Sequence, residues 1–396
     1  MDIDRATPLL GGLTPRLFML RHWQKKPLLV RGAIDPAEVD VTPEHLFDLA
    51  GRDDVRSRLV VHGEAGWRLR HGPLARRALP SRKRAQWTLL VQAMDRYRAD
   101  MHALLARFRF VPQARLDDVM LSYASDGGGV GPHFDSYDVF LLQLKGRRRW
   151  RIGRLGDREL EPGLPLKILR RFEVEDDWLL APGDMLYLPP HWAHDGVAEG
   201  ECITASIGFR APTHDALARE VVQRMLDAND DAGEDADAAE PARYRDRGQP
   251  AVSNPGRIPD ALAACSRAAL QRLVDDPRSV ACALGEWLSE PDPDASFVGA
   301  AACDVREGVA LDRSTRMLYD RWHVFINGES FVAGGRDASV MHRLADTTRL
   351  AGVQVQALSG EACDLLEQWL RAGWLHAVEP PGRPEVSVPP RARRTR

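Results

Sequence analysis

Across residues 118–209 apolar and polar positions alternate in short runs, DVMLSYAS, YDVFLLQL, RRRWRIG, DMLYLPP and ITASIGF, separated by Gly, Pro and Asp. Half-buried strands produce this period of two, because successive side chains point to opposite faces of a sheet. Several such runs in close succession predict an all-β barrel or sandwich. Upstream, residues 17–23 and 87–107 carry apolar positions near helical spacing, with WTLLVQAMD the clearest example, and are expected to be helical. Downstream, residues 259–274 and 279–288 have helical periodicity, and DDPR at 275–278 is the break between them. The rest mixes short strands, WHVFI from Trp322 and SFV from Ser330, with helices near 338–350 and Gly360–Ala372. That order suits a small, winged-helix-like α+β module.

One stretch interrupts the pattern. Residues 226–241, LDANDDAGEDADAAEP, are acidic and Ala-rich without a single basic residue. Such a segment buries too little apolar surface to offset the entropy of ordering, which predicts a mobile linker; a solvated acidic helix end is the competing reading. The closing RARRTR run is expected to be a solvated tail.

Composition narrows the field without naming a function. A chain of 396 residues, 44% hydrophobic and 28% charged, has room for two or three domains and a substantial core. The net charge of −3 gives no whole-protein signal for nucleic acid or an anionic membrane, so direct nucleic-acid binding is not expected. Five scattered cysteines without CxxC spacing argue against a disulfide framework or zinc knuckle and for a reducing compartment. The charged N-terminus lacks an apolar signal core and no long apolar run follows, so a soluble, cytoplasmic protein is expected.

Chemistry concentrates in GPHFDSYDVF, residues 131–140. Two residues apart on a strand, His133 and Asp135 project from the same face. An imidazole and a carboxylate supply two ligands of a 2-His-1-carboxylate facial triad. PPHWAHDG offers the third, and His194 is preferred over His191 because Asp195-Gly196 beside it is where the chain can turn back. An HxD pair alone is a common accident of exposed strands; the downstream histidine is what gives it weight. Zinc is the alternative metal, although its sites more often use additional His or Cys. Iron(II) is favoured because a facial triad leaves coordination positions open for a chelating cosubstrate and oxygen.

The run GRRRWRIG from Gly146 adds a second constraint. Arg147, Arg149 and Arg151 share one face and Arg148, Trp150 and Ile152 the other. The second row is the apolar one, so Arg148 is expected inside the barrel, where a cation needs an anion. A dicarboxylate such as 2-oxoglutarate would supply it; an internal salt bridge to Asp or Glu is the bland alternative. The outward arginines are expected to be a solvated basic face. By the same parity His133, Asp135, Tyr137, Val139 and Leu141 share a face, which brings Tyr137 near the metal. Asp118, Met120, Ser122 and Ala124 share another. An inward Asp118 with Tyr137 would form an anionic, aromatic-sided slot for a cationic side chain; Asp118 as a plain turn residue is equally open. Ser122 is a candidate partner for a bound carboxylate, against a plain strand serine. GGGVG at 127–131 lacks the GK[ST] of a phosphate loop and reads as a flexible approach to the metal strand.

HFDSYDVFLLQLKGRRRW, PPHWAHDG, SIGFRAP and the N-terminal HWQKKPLLVRGAI together resemble the JmjC-type ribosomal oxygenases, most closely the bacterial branch that hydroxylates an arginine of large-subunit ribosomal protein L-16. The resemblance is strong over residues 18–212 and extends to the C-terminal half only in layout. It implies an α+β chain: a double-stranded β-helix (cupin-like) catalytic core at 1–212, an acidic linker and helical dimerisation region at 213–300, and a winged-helix-like domain at 301–396. It implies His133, Asp135 and His194 as Fe(II) ligands and Arg148, where eukaryotic relatives carry Lys, as partner of the 2-oxoglutarate distal carboxylate. Tyr137 and Asp118 fall where contacts to a substrate arginine are expected, and the protein is expected to be a homodimer. The acidic stretch is a departure from the family pattern. Two other readings compete: the same chemistry on a histidine or methyl-lysine, and a non-enzymatic cupin and winged-helix protein that binds nucleic acid.

Overall fold

The computed structural model describes residues 2–64, 66–232, 243–247, 249–299, 304–332 and 334–378, the side chains of 229–232 excepted. The chain forms two compact units, Met1–Pro212 and Thr213–Arg396. In the first unit the helices are α1 (Pro15–Arg21), α2 (Pro43–Leu49), α3 (Met94–Tyr97) and α4 (Ala99–Ala106). Its strands are β1 (Leu28–Val30), β2 (Ser57–Gly63), β3 (Gly66–His71), β4 (Trp87–Val91), β5 (Leu116–Ala124), β6 (His133–Phe134), β7 (Val139–Arg154), β8 (Asp176–Leu180), β9 (Met185–Leu188) and β10 (Trp192–Phe209). They form one sheet in the order β1-β9-β7-β10-β5-β4-β2-β3, with β6 added to β10 and β8 to β7.

Several of the short runs turn out to be halves of two long strands. Strand β7 spans 16 residues and β10 spans 18. Each bends where the β7–β10 register shifts, between Glu199 and Ile203. Gly146 makes the bend possible: its φ is +64°, and a Cβ there would lie 2.0 Å from the Glu201 carbonyl oxygen. One half of β7 pairs with β9 and the other with β8, so the sheet folds over itself into a double-stranded β-helix. One face packs against the N-terminal helices through an aromatic cluster in which Phe140 lies 4.8 Å from Phe108, 4.8 Å from Tyr187 and 5.4 Å from Phe18. Truncating Phe140 to Ala would cost about 3–5 kcal/mol. Within the barrel Val139, Leu141, Trp150, Ile152, Leu180, Leu186 and Leu188 form a second cluster.

The helix expected over 87–107 is instead the strand β4 followed by α3 and α4. Trp87, Leu89 and Val91 enter the main core while Thr88 and Leu90 are buried on the opposite face. A strand buried on both faces shows no alternation, so its apolar run imitates a helix. The glycine-rich loop at 127–131 is pinned rather than flexible. Gly127 N–H donates to the Ala198 carbonyl at 3.0 Å and Ala198 N–H to Gly128 at 2.9 Å.

The second unit carries α5 (His214–Ala232), α6 (Asp260–Val274) and α7 (Pro277–Ser289). They precede β11 (Gly308–Leu311), β12 (Met317–Tyr319), β13 (His323–Ile326), β14 (Glu329–Val332), α8 (Gly335–Thr347), β15 (Arg349–Ala351), α9 (Gly352–Val355), α10 (Gly360–Ala372) and β16 (Leu375–Ala377). Two three-stranded sheets, β15-β11-β16 and β12-β13-β14, pack with the helices around Leu344, Leu366 and Trp369. The break expected at DDPR is a helix start: the Asp276 carboxylate accepts from Arg278 and Ser279 N–H at 3.0 and 3.2 Å, and Pro277 opens α7. The helix expected to reach 350 ends at Thr347, where Thr348 (φ +61°) breaks it and β15 begins. The supposed linker starts too early, since 226–232 is the last part of α5; 233–241 and the RARRTR tail lie outside the described residues.

Candidate metal centre

Strand pairing, not a turn, assembles the cluster. His133 on β6 lies directly opposite His194 on β10, and His194 is flanked on its other side by Ile152 of β7. Asp135 follows β6, and its backbone carbonyl accepts from the His191 N–H at 2.8 Å. The ligand-type atoms of His133, Asp135 and His194 all lie within 4.8 Å of one another. The two imidazole centroids are 4.2 Å apart, and Asp135 Oδ2 is 3.7 Å from His194 Nε2.

Both rings are oriented from behind. His133 Nδ1 sits 2.9 Å from the Gly131 carbonyl and His194 Nδ1 3.0 Å from the Trp192 carbonyl. A carbonyl can only accept, so each Nδ1 carries the proton and each Nε2 presents a lone pair. Burial, reinforced by His133, pushes the His194 imidazole down to about 4, which keeps it neutral at physiological pH. The reason for expecting His194 is corrected: β10 runs straight through Asp195 and Gly196. His191 stands outside the cluster, exposed, with φ +63°.

Arg148 lies on the inner row with Trp150 and Ile152, and all three are buried, whereas Arg147 and Arg149 are exposed. Its Nη1 donates to Ser122 Oγ at 3.1 Å and Thr204 Oγ1 at 3.5 Å, its Nη2 to the Gly196 carbonyl at 3.1 Å, and its buried Nε has no partner. Among the described residues no carboxylate pairs with it; Asp195, on the adjacent strand, turns outward to Arg151. The internal salt bridge weighed from sequence is therefore absent among the described residues. Burial drives the guanidinium below the ordinary arginine value. Its carbon lies 5.0 Å from the Trp150 ring, which is itself 5.9 Å from His194, so Trp150 neighbours both the cation and the His133–Asp135–His194 cluster.

Sequence reasoning missed Thr204 and Gly196. Thr204 was legible as the polar alternate of ITASIGF. Gly196 was not: it sits within β10, where an added Cβ would lie 2.6 Å from Trp150 and 2.9 Å from Arg148 Nε. Only glycine leaves that space.

Asp118 sits on β5 rather than in a turn, and its Oδ2 accepts from Ala93 N–H at 2.7 Å. Burial, with Asp117 and Asp95 beside it, pushes its carboxyl up to about 7. Tyr137 lies in the segment between β6 and β7, so strand parity does not run unbroken from His133 to Leu141. The residue is 39% exposed, but its hydroxyl loses hydration beside the Asp135 and Asp118 carboxylates, and its pKa rises.

A folded-over barrel with two imidazoles and one carboxylate on its inner wall has the layout of a non-haem metal oxygenase. The model of the JmjC domain matches residues 103–217, and that of a ROXA-like winged helix matches 270–376. Ribosomal protein uL16 3-hydroxylase of Escherichia coli (strain K12) is 35% identical over 278 residues, covering 69% of this chain and 70% of that one. The E. coli YcfD structure superposes with a TM-score of 0.81 at 29% identity, over 92% of this chain and 98% of that one. YcfD in complex with cobalt and 2-oxoglutarate, described as a ribosomal oxygenase, gives 0.76 at 29% identity over the same shares. The chain belongs to the JmjC-type ribosomal oxygenase family.

Proposed function

We propose that this protein is an Fe(II)- and 2-oxoglutarate-dependent protein hydroxylase acting on ribosomal protein uL16, with an arginine as the target side chain. The observation that carries this reading is Arg148: a buried cation without an acid, beside the Trp150 that also neighbours the His133–Asp135–His194 cluster. The uL16 3-hydroxylase relative and the cobalt and 2-oxoglutarate complex of YcfD support it. The donor set suits iron, and Arg148 with Ser122 suits the distal carboxylate of 2-oxoglutarate. When bound, the iron with 2-oxoglutarate and oxygen supplies the oxidising power for hydroxylation, and 2-oxoglutarate leaves as succinate and carbon dioxide.

The chain's own residues provide position and charge. The Gly131 and Trp192 carbonyls engage both Nδ1 atoms, which would leave each Nε2 free to hold the metal. Asp118 and Tyr137 form the entrance for a cationic side chain. A guanidinium beside Asp118 favours the ionised carboxylate over the neutral acid that burial favours in its absence. The same slot would take methyl-lysine, and it disfavours neutral histidine.

We also propose the three-part division 1–212, 213–300 and 301–396, a cytoplasmic location, and a homodimer. The dimer rests on α6, which buries none of its residues and leaves Leu262, Leu270 and Val274 at 40%, 60% and 45% exposure. Among the described residues no helix is long and apolar enough to cross a membrane.

The test incubates the purified protein with Fe(II), 2-oxoglutarate and uL16 and reads intact mass and succinate together. Wild type should add one oxygen to an arginine-containing peptide. The paired substitution His133→Ala and Asp135→Ala should abolish both signals; succinate production surviving it would refute the metal assignment.

A further inference from the structure

Between Glu64 and Asp95 the chain carries seven Arg and Lys residues and no acid. The fold gathers them at the β3 end of the sheet. Arg68 and Arg70 share the face of β3 opposite Trp67 and Leu69. Arg70 Nη1 lies 3.5 Å from the Ala78 carbonyl, which brings the short turn bearing Arg77 against β3. The loop bearing Lys83 and Arg84 is tied down by Trp87 Nε1, which donates to the Ser81 carbonyl at 3.2 Å, and by His62 N–H, which donates to Gln86 at 2.9 Å.

Two of the seven are engaged. Arg82 pairs with Glu201 at 2.6 Å and Glu44 at 2.9 Å, and the Arg76 guanidinium lies 4.4 Å over Phe47. The other five are exposed and have no carboxylate partner among the described residues. Elsewhere on this unit exposed arginines commonly do, as in Arg16–Asp4, Arg52–Asp54 and Arg149 with Asp177 and Glu199. On the opposite face of β3, His62, exposed, stacks on Trp67 at 4.1 Å and 14°. Trp67 also approaches the segment that leads into β6, since a Cβ on Gly131 would lie 3.3 Å from it.

We infer that this edge binds RNA, with Arg68, Arg70, Arg77, Lys83 and Arg84 on phosphates. The choice of RNA over an acidic protein rests on the proposed substrate. Ribosomal proteins are as a class cationic, and a slot for a cationic side chain gains nothing from a basic surface beside it. The polyanion that accompanies a ribosomal protein is RNA. The net charge of −3 conceals this edge because acidic residues elsewhere cancel it.

The test is fluorescence anisotropy of a labelled 20-nucleotide single-stranded RNA with the full chain across a salt series. Five phosphate contacts predict a slope of log K against log salt of about −3.5. Arg68→Glu with Arg70→Glu and Arg77→Glu should weaken binding by at least about tenfold. Arg154→Glu with Lys167→Glu and Arg171→Glu, the same charge change elsewhere on the unit, should weaken it by less than about threefold. No salt-dependent binding by wild type, equal loss in both triple variants, or competition by poly-glutamate as strong as by unlabelled RNA overturns the proposal. Hydroxylation of free uL16 by the first triple variant should persist. Its absence in wild type would instead sink the proposed function, while the RNA measurement stands by itself.

Discussion

Strand β7 carries a row of arginines on its outer face and a single arginine on its inner face, and they differ in what surrounds them. Outside, Arg149 meets Asp177 and Glu199 at 3.0 and 2.9 Å, and Arg151 meets Asp195. Inside, Arg148 is 3% exposed, and its hydrogen-bond partners are only hydroxyls and a carbonyl. The exposed cations have acids they hardly need, since solvent screens them. The buried one lacks the acid that burial demands. A fold with acids to spare on one face leaves the other face open for a ligand that brings its own carboxylate.

The sharpest way to break this contrast is Arg148→Met. Affinity for 2-oxoglutarate should fall about a hundredfold by calorimetry, as expected for loss of one partner of a buried charge pair. Thermal stability without ligand should hold or rise, because a buried cation without an acid is replaced by an apolar chain. A large drop in Tm with unchanged affinity would make Arg148 structural. Next in size is Gly196→Ala, whose methyl group strikes both Trp150 and Arg148 Nε. It should destabilise the protein by about 1–3 kcal/mol and weaken 2-oxoglutarate binding with it, measured by urea unfolding and titration. Arg148→Lys keeps the charge but loses the fork and should weaken binding about tenfold. Arg149→Met, on the outer row, should leave 2-oxoglutarate affinity within error; a substantial loss there would erase the distinction between the rows.

The smallest effect concerns an exposed pair in the second unit, His376 Nε2 to Asp312 Oδ2 at 2.7 Å. The hydrogen bond to Asp312 raises the His376 pKa. The folded value lies above the unfolded one, so the pair's contribution is complete below about pH 6.5 and disappears as pH rises through the raised value. The difference in Tm between wild type and His376→Ala should therefore shrink from pH 6 to pH 9. A pH-independent difference would assign the residue to packing alone.

How much of this was legible in the sequence depends on how local each cause is. The inward turn of Arg148 follows from the strand period of two, and Trp150 and Ile152 betray which face is buried. His133 and Asp135 are two residues apart and were legible for the same reason. His194 was chosen for a turn that does not exist; its partner across the ladder is His133, some sixty residues away. Residues 87–91 misled because burial on both faces erases alternation. The start of the acidic segment, 226–232, is the helix end that competed with a linker, because propensity alone does not say where α5 stops. The basic edge drew no notice in the sequence, because its five charges stand out only once the fold shows them without acids among the described residues.

By itself, then, the sequence determined what neighbouring residues dictate: the strand faces, the helix stop and start at Asp276-Pro277, the chemical kinds of side chain and the family they resemble. Tertiary structure decided which distant strands would meet. It folded β7 and β10 across Gly146, set His194 against His133, emptied the space at Gly196 for Arg148, and withheld every described acid from that guanidinium. Pairing of strands far apart in the chain is fixed by register and by the burial of whole faces, and no window of sequence contains either.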